Sequence, residues 1–443
     1  MNWQKEVLSM HKPLKILDLF AGAGGLSLGF ELARSKGKKI FKLHRAVEVD
    51  EHACLTLKKR YGTNKVIQGD LTKKEIHNSV IKQCKGKIDV VIGGIPCQSF
   101  SLIGPRSGFG KRMDKFKKDK RDLLYKEFYA IVKELKPKII VIENVKGILS
   151  KKDLKGKRII DRIIKDFEKA GYNFNIEKNN QKYMVLNAAN YGVPQKRERV
   201  FIIGFYRRFT DSCMSAPKQT HSSEKTAKRL LKQVTIHEAI GDLPKVQAKI
   251  TYTDIPLNQK KTIDRVNKHR NNGKDRINVN SKSYGNFLRT LSRSGKMFHQ
   301  QIRPNGYKYI DHHVARSQQS SDIDLFKGMK QGWTAKDVIE KGSESLKIKI
   351  KYEMNAFKDK YRKQKWNEPC TTLFAHLQKD GNRFIHPKQA RTITPREAAR
   401  LQSFPDYIIF EGPPSKKFWQ VGNAVPPLLA KAVAEAVFSS LNR

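Results

Sequence analysis

Paired cysteines are missing from this chain. Its five, Cys54, Cys84, Cys97, Cys213 and Cys370, are odd in number and scattered, with no C-x-x-C pair. That argues against a disulfide framework and a zinc site, and it fits a reducing cytosol. Long apolar runs are missing too. No stretch approaches the roughly 18 residues that a membrane-spanning helix needs. The opening Met1-Asn2-Trp3-Gln4-Lys5-Glu6 lacks the apolar core of a signal peptide. No membrane role is expected, and the expected location is the cytoplasm. Acid is scarce: 42 Asp and Glu against 89 Lys and Arg leave a formal net charge of +47 over 443 residues. A field of that sign draws polyanions, nucleic acid first and an anionic membrane surface second. Internal repeats are absent. What remains, 38% hydrophobic residues, is enough for a sizeable core and two or three domains.

The first 205 residues alternate between short apolar strands and helical stretches. Strands are expected at 15–20, 44–49, 65–68, 88–92, 138–142 and 199–204. This pattern predicts an α/β fold with a doubly wound, mostly parallel sheet covered on both faces, binding ligands at the carboxyl ends of its strands. From 206 to 385 the periodicity fades and Asn, Lys, Ser and Gly dominate 266–294, which predicts a smaller, loop-rich second domain. A patterned segment returns from 386 to 443, ending in an apolar helix from Pro426 to Leu441 suited to packing on the first domain.

The strand ends carry the chemistry. Asp18-Leu19-Phe20-Ala21-Gly22-Ala23-Gly24-Gly25 turns from a strand into a helix beginning near Leu26. Glycines there let the backbone turn tightly and approach a ligand. No Gly-Lys-Ser/Thr follows, so this is not a phosphate loop. Glu48 and Asp50 close the second strand, where a carboxylate can accept from a ribose diol. Asp70 closes the third, within reach of an adenine amino group, with Leu71 beside it. Together they predict a nucleoside cofactor. The fourth strand runs into Gly93-Gly94-Ile95-Pro96-Cys97-Gln98-Ser99-Phe100-Ser101, followed by a glycine-hinged basic loop that suits a lid. A lone cysteine is usually a small buried hydrophobe; on a loop at this edge, in a strongly positive field, it reads as a thiolate. The fifth strand ends at Glu143-Asn144-Val145. In Gln195-Lys196-Arg197-Glu198-Arg199, alternation puts Gln195, Arg197 and Arg199 on one face.

Six motifs in order resemble the bacterial C5-cytosine DNA methyltransferase family across nearly the whole chain. They are the turn Phe20 to Gly25, Pro96-Cys97-Gln98, Glu143-Asn144-Val145, Gln195-x-Arg197-x-Arg199, Arg396-Glu397-x-x-Arg400-Leu401-Gln402-Ser403-Phe404-Pro405, and Gly422-Asn423-Ala424-Val425-Pro426-Pro427. The resemblance implies a Rossmann-like methyltransferase fold using S-adenosylmethionine, with S-adenosylhomocysteine as product and no metal. It implies Cys97 as nucleophile with Glu143 and Arg197 as its partners. Phe20, Ala21, Gly22, Gly24, Gly25, Leu26, Glu48, Asp50, Asp70, Leu71, Pro96, Asn423 and Val425 would line the cofactor pocket. Gln98, Ser99, Ser101, Arg106, Gln195, Arg199, Thr372 and Leu373 would meet double-stranded DNA, and 206–385 would hold the target-recognition domain. A monomer, a prokaryotic nucleoid-associated location and a cognate restriction endonuclease are further implications. Two departures stand out: Ile95 replaces the usual proline or aromatic before Pro-Cys-Gln, and Arg121-Asp122 replaces Arg-Gly in the lid.

The implied chemistry is thiolate addition at carbon 6 of a flipped-out cytosine, with Glu143 donating to N3, followed by methyl transfer to carbon 5. Two alternatives compete. A tRNA cytosine-5 methyltransferase would prefer tRNA to duplex DNA in a labelled-cofactor assay. A DNA-binding regulator on an inactive scaffold would fail to trap 5-fluorocytosine DNA.

Overall fold

The computed structural model describes residues 12–96, 124–153, 156–177, 181–209, 213–224, 229–252, 259–304, 307–351, 361–375, 377 and 381–441. They form two compact units. The first comprises residues up to Tyr191, then Arg197–Thr220 and Ala424–Arg443; the second comprises Gly192–Lys196 and His221–Asn423.

The first unit is built on an eight-stranded sheet. Its strands are β1 (Leu14–Leu19), β2 (Phe41–Glu48), β3 (Val66–Gln68), β4 (Val90–Gly94), β5 (Ile139–Val145), β6 (Tyr172–Asn173), β7 (Met184–Asn187) and β8 (Glu198–Tyr206). The order is β3-β2-β1-β4-β5-β8-β6, with β7 also paired to β8. Strands β1 to β5 run parallel, and β8 runs antiparallel to β5, β6 and β7. The parallel strands are nearly continuous apolar runs because helices cover both faces. Those helices are α1 (Gly25–Leu32), α2 (Glu51–Tyr61), α3 (Lys74–Cys84), α4 (Leu124–Leu135) and α5 (Ile159–Lys169). In α5, Ile159, Ile160, Ile163, Ile164 and Phe167 form one buried stripe with charges opposite, the 3.6-residue period of an amphipathic helix. Phe167 meets Phe128 of α4 edge to face at 6.0 Å.

The C-terminal helix, Pro427–Leu441, packs on α1. The approach is close enough that a Cβ on Gly29 would lie 2.3 Å from the Ala430 Cβ. By length and composition the stretch Pro414–Leu441 could cross a membrane, so the expectation that no such run exists is too strong. Most of it is buried inside the protein, as a core segment requires.

The second unit has short elements around an interior that mixes small apolar clusters with buried polar groups: α6 (Ile236–Ile240), the antiparallel pair β9 (Gly273–Asn278) and β10 (Tyr309–Val314), α7 (Arg293–Ile302), α8 (Ser320–Gly328) and α9 (Pro395–Leu401). Thr394 and Glu397 form a capping box on α9, and Arg391 grips Glu397 through two bonds of 2.8 and 2.7 Å. The expected return to the first domain at 386 falls at 424 by contacts. The reason is α9 and the segment before it: Arg391 donates to the Val246 carbonyl, Arg396 to that of Asp311, and Arg400 to the Asp242 carboxylate, so 386–423 is fastened into the second unit.

Candidate active site

Strand order locates the site. Strand β1 lies between β2 and β4, so the chain winds to one side of β1 and then to the other. Ligands settle at the carboxyl ends of such a switch point. There β1 opens into the glycine turn, where Phe20, Gly22 and Gly24 have φ of 59°, 55° and 71°. Gly24 is the N-cap of α1 in left-handed conformation. Phe20 pays for that geometry as a non-glycine residue, a pattern that concentrates at ligand clamps.

Glu48 ties the turn to the end of β2. Its Oε2 accepts from the Gly22 N–H at 2.7 Å, and its Oε1 from those of Val49 and Asp50 at 2.9 and 2.8 Å. Three backbone donors leave about one of a carboxylate's four lone-pair sites for a ligand. Burial raises its pKa, and those donors oppose the shift. Asp50 is the N-cap of α2, accepting from Ala53 N at 3.1 Å, so this carboxylate serves the helix. Asp70 is exposed and accepts from Thr72 N at 2.9 Å, while Leu71 is buried. Ala21, Gly24, Gly25 and Leu26 are buried, and Gly22 and Pro96 are partly exposed. Sequence reading missed Val49, a 63% exposed apolar residue between the two carboxylates.

Asp18 lies beneath the turn, 1% exposed, with neither carboxyl oxygen hydrogen-bonded. Burial first, and the Glu48 charge among the lesser causes, push its pKa up to about 7. The folded state thus holds this proton more tightly than the unfolded chain, whose Asp titrates near 4. The associated stability is full below about pH 4 and lost as pH rises through about 7. Asp18→Asn is therefore expected to gain on the parent by about 2–3 kcal/mol between pH 5 and pH 8. Urea unfolding at both values checks this; a gap independent of pH would rule it out.

Of the catalytic candidates, Glu143 lies on β5 and Arg197 just before β8, and β4 leads toward Cys97 in the sequence. Gly94 is in register with Glu143 across the parallel pair, and Phe201 faces Glu143 across the antiparallel pair. A Cβ at Gly94 would come within 3.1 Å of the Glu143 Oε2. Arg199 Nε holds Glu143 Oε1 at 2.9 Å, both side chains being nearly buried. Burial raises the Glu143 pKa, and Arg199 and then Arg197 oppose it. Arg197, 1% exposed, donates from Nη2 to the Ala424 carbonyl at 3.1 Å. Burial pulls its pKa well down, and the neighbouring Arg199 charge adds to this. The arginine in contact with Glu143 is thus Arg199, while Arg197 anchors the backbone beside Val425, itself buried. Asn144, also buried, donates to the Ile95 carbonyl at 3.5 Å.

In the second unit, Gln195 is fully buried. It donates to the Leu401 carbonyl (3.1 Å) and to Gln402 Oε1 (2.7 Å), and it accepts from Leu373 N (2.8 Å). Thr372 Oγ1 donates to the Lys196 carbonyl at 2.6 Å. Gln195 and Leu373, expected to touch DNA, have no side-chain surface to offer: they fasten this segment from inside. Asn423 is exposed at the end of helix Pro414–Asn423. Cys97, Gln98, Ser99, Ser101 and Arg106 lie outside the described residues.

Comparison with known proteins meets this geometry. The type II methyltransferase M.DdeI of Desulfomicrobium norvegicum is 32% identical over 97% of this chain and 90% of its own. The type II methyltransferase M.XorII of Xanthomonas oryzae is 32% identical over 98% and 86%. A solved prophage-encoded E. coli protein, described as a DNA modification methyltransferase, shares the fold. Its TM-score is 0.64 at 24% identity, over 97% of this chain and 100% of that one. Residues 14–439 match the model of the C-5 cytosine-specific DNA methylases, and the chain belongs to that family of S-adenosylmethionine-dependent DNA (cytosine-5-)-methyltransferases.

Proposed function

We propose that Cys97, as the thiolate, adds to carbon 6 of a cytosine flipped out of double-stranded DNA, and that protonated Glu143 gives its proton to N3. Addition breaks the ring's aromaticity and makes carbon 5 nucleophilic. S-adenosylmethionine supplies the methyl group that carbon 5 takes, and S-adenosylhomocysteine is left. Loss of the carbon-5 proton to a base then re-forms the 5,6 double bond and expels Cys97 as thiolate, while N3 returns its proton to Glu143 and the ring is restored. Flipping costs a few kcal/mol, and phosphate contacts from the basic surface offset part of it.

One observation carries the assignment of residues. The strand leading to Cys97 ends with Gly94 opposite Glu143, whose carboxylate Arg199 holds, at the edge where β1 opens into the glycine turn. Arg199 therefore takes the role of orienting Glu143 and reaching the base carbonyl; Arg197 is a positioning residue. Glu48, Asp70 and the turn Phe20 to Leu26 hold the nucleoside of the cofactor, and exposed Val49 offers its purine an apolar face. Pro96 and Val425 complete the pocket. The region 206–385 reads the target sequence, no metal takes part, and the enzyme acts as a monomer in the cytoplasm. A restriction endonuclease with the same target is the expected partner, since the relatives named above are type II methyltransferases.

Cys97→Ala tests the core of this reading. The variant should still bind duplex DNA, yet neither transfer methyl groups nor form a stalled adduct with 5-fluorocytosine DNA. Turnover by that variant would refute the assignment.

A further inference from the structure

The connection leaving the carboxyl end of β5, just beyond Glu143, is built against its own electrostatics. After a short 3₁₀ turn, Lys146–Leu149, the chain reverses so that Lys152 stands directly opposite Arg158 in an antiparallel bridge. Asp153 N donates to the Lys157 carbonyl (2.8 Å), Gly156 N to that of Asp153 (3.0 Å), and Ile159 N to that of Lys151 (3.0 Å). Lys152, Lys157 and Arg158 are exposed. Like charges directly opposite in a strand pair destabilise it. Arg158 is also the N-cap of α5, where its side chain makes no capping bond. Asp, Asn, Ser or Thr is preferred at that position, and cations there oppose the helix dipole.

The local acids do not resolve this. Asp153 is the one acid in 151–158. Its Oδ1 accepts from Lys157 N (3.0 Å) and its Oδ2 from Arg162 (3.3 Å). Asp161 is taken by Arg158 at 2.7 and 2.9 Å. Among the described residues, Lys152 and Lys157 form no ion pair. Arg158 is thus balanced by Asp161, while Lys152 and Lys157 are exposed cations without an acid partner among the described residues, and Lys152 faces the like charge of Arg158. A polyanion lying across them would supply the missing counter-charge and relieve that repulsion. The turn also leaves the same carboxyl edge of the sheet that carries Glu143.

We propose that Lys152, Lys157 and Arg158 form a phosphate clamp, gripping the DNA backbone beside the extruded cytosine. This rests on the DNA-methylating reading and adds to it a named backbone contact that carries no sequence information.

The test compares the full chain with Lys152→Gln/Lys157→Gln, and with Lys38→Gln/Lys39→Gln. The control pair is exposed just before β2, at the amino-terminal edge of the sheet, and removes the same charge. A fluorescent duplex of random sequence is titrated between about 50 and 200 mM salt. The clamp variant should lower the slope of log K against log salt by about 1–2, since each phosphate contact contributes about 0.9. Without DNA, its unfolding temperature should equal or exceed the parent's. An unchanged slope, an equal change in the control pair, or a drop in stability without DNA would overturn the clamp while leaving the DNA reading intact. Failure of the parent to bind any duplex would overturn both.

Discussion

Glu143→Gln should slow methyl transfer by about 10²–10⁴-fold, the range for loss of a positioned general acid. Glutamine fills the same space and can offer N3 a hydrogen bond, but it has no proton to give up. Binding of DNA and of the cofactor should survive, so the loss belongs in kcat. The companion is Arg199→Lys, which keeps a cation beside Glu143 but removes the guanidinium fork that fixes the carboxylate at 2.9 Å. In the proposed role Glu143 must be protonated to act, and burial raises its pKa from the ordinary carboxylate range. Activity should therefore fall on the alkaline side as this group loses its proton. In Arg199→Lys the looser hold on the carboxylate should move that limb to higher pH. Single-turnover rates against pH read both effects; a Glu143→Gln enzyme within threefold of the parent would remove Glu143 from the chemistry.

Asp406→Ala should unfold the second unit far more easily than an average substitution, by about 3–5 kcal/mol, the cost of removing one partner from a buried ion pair. Asp406 is 0% exposed. It accepts from Arg400 at 2.9 and 2.8 Å and from Arg303 at 3.0 and 2.8 Å. Asp242 shares the same two arginines, and Arg396 stands 3.7 Å from Asp406. Three buried cations thus depend on two carboxylates, and loss of one leaves uncompensated charge in the interior. Burial pushes both carboxyls up, yet the arginines, Arg400 foremost, hold Asp406 well below the usual range and Asp242 below it. A depressed pKa contributes stability that is present above about pH 4 and lost as pH falls through the folded value. The parent should therefore weaken in acid more steeply than Asp406→Ala. Trp333, Trp366 and Trp419 all lie in the second unit, so tryptophan fluorescence during urea unfolding reports on it. A shift below about 1 kcal/mol, typical of any point substitution, would defeat the argument.

The sheet was legible because each parallel strand is a short apolar run closed by glycine or acid. The six expected strands lie within a few residues of β1, β2, β3, β4, β5 and β8. The two-residue β6 and four-residue β7 carry too little pattern to register. Alternation placed Gln195, Arg197 and Arg199 on one face, and all three are buried while Lys196 and Glu198 are exposed. It could not say which of them meets Glu143, because that depends on the antiparallel register of β8 against β5. Nor could it tell that Gln195 spends its hydrogen bonds on Leu373, Leu401 and Gln402, residues nearly 180 or more positions away. The second unit resisted reading because its helices are short and much of its interior is arginine, aspartate and histidine, which hydropathy patterns treat as surface.

Gly29 and Ala430 meet across some four hundred positions of chain. During synthesis the cover of α1 thus leaves the ribosome only after the whole second unit. Until residues 427–441 emerge, the nascent first unit must hold α1 uncovered on that side. Ribosome stalling or early termination within that stretch would release a protein able to form its arginine-rich unit but lacking support for the helix that follows its glycine turn.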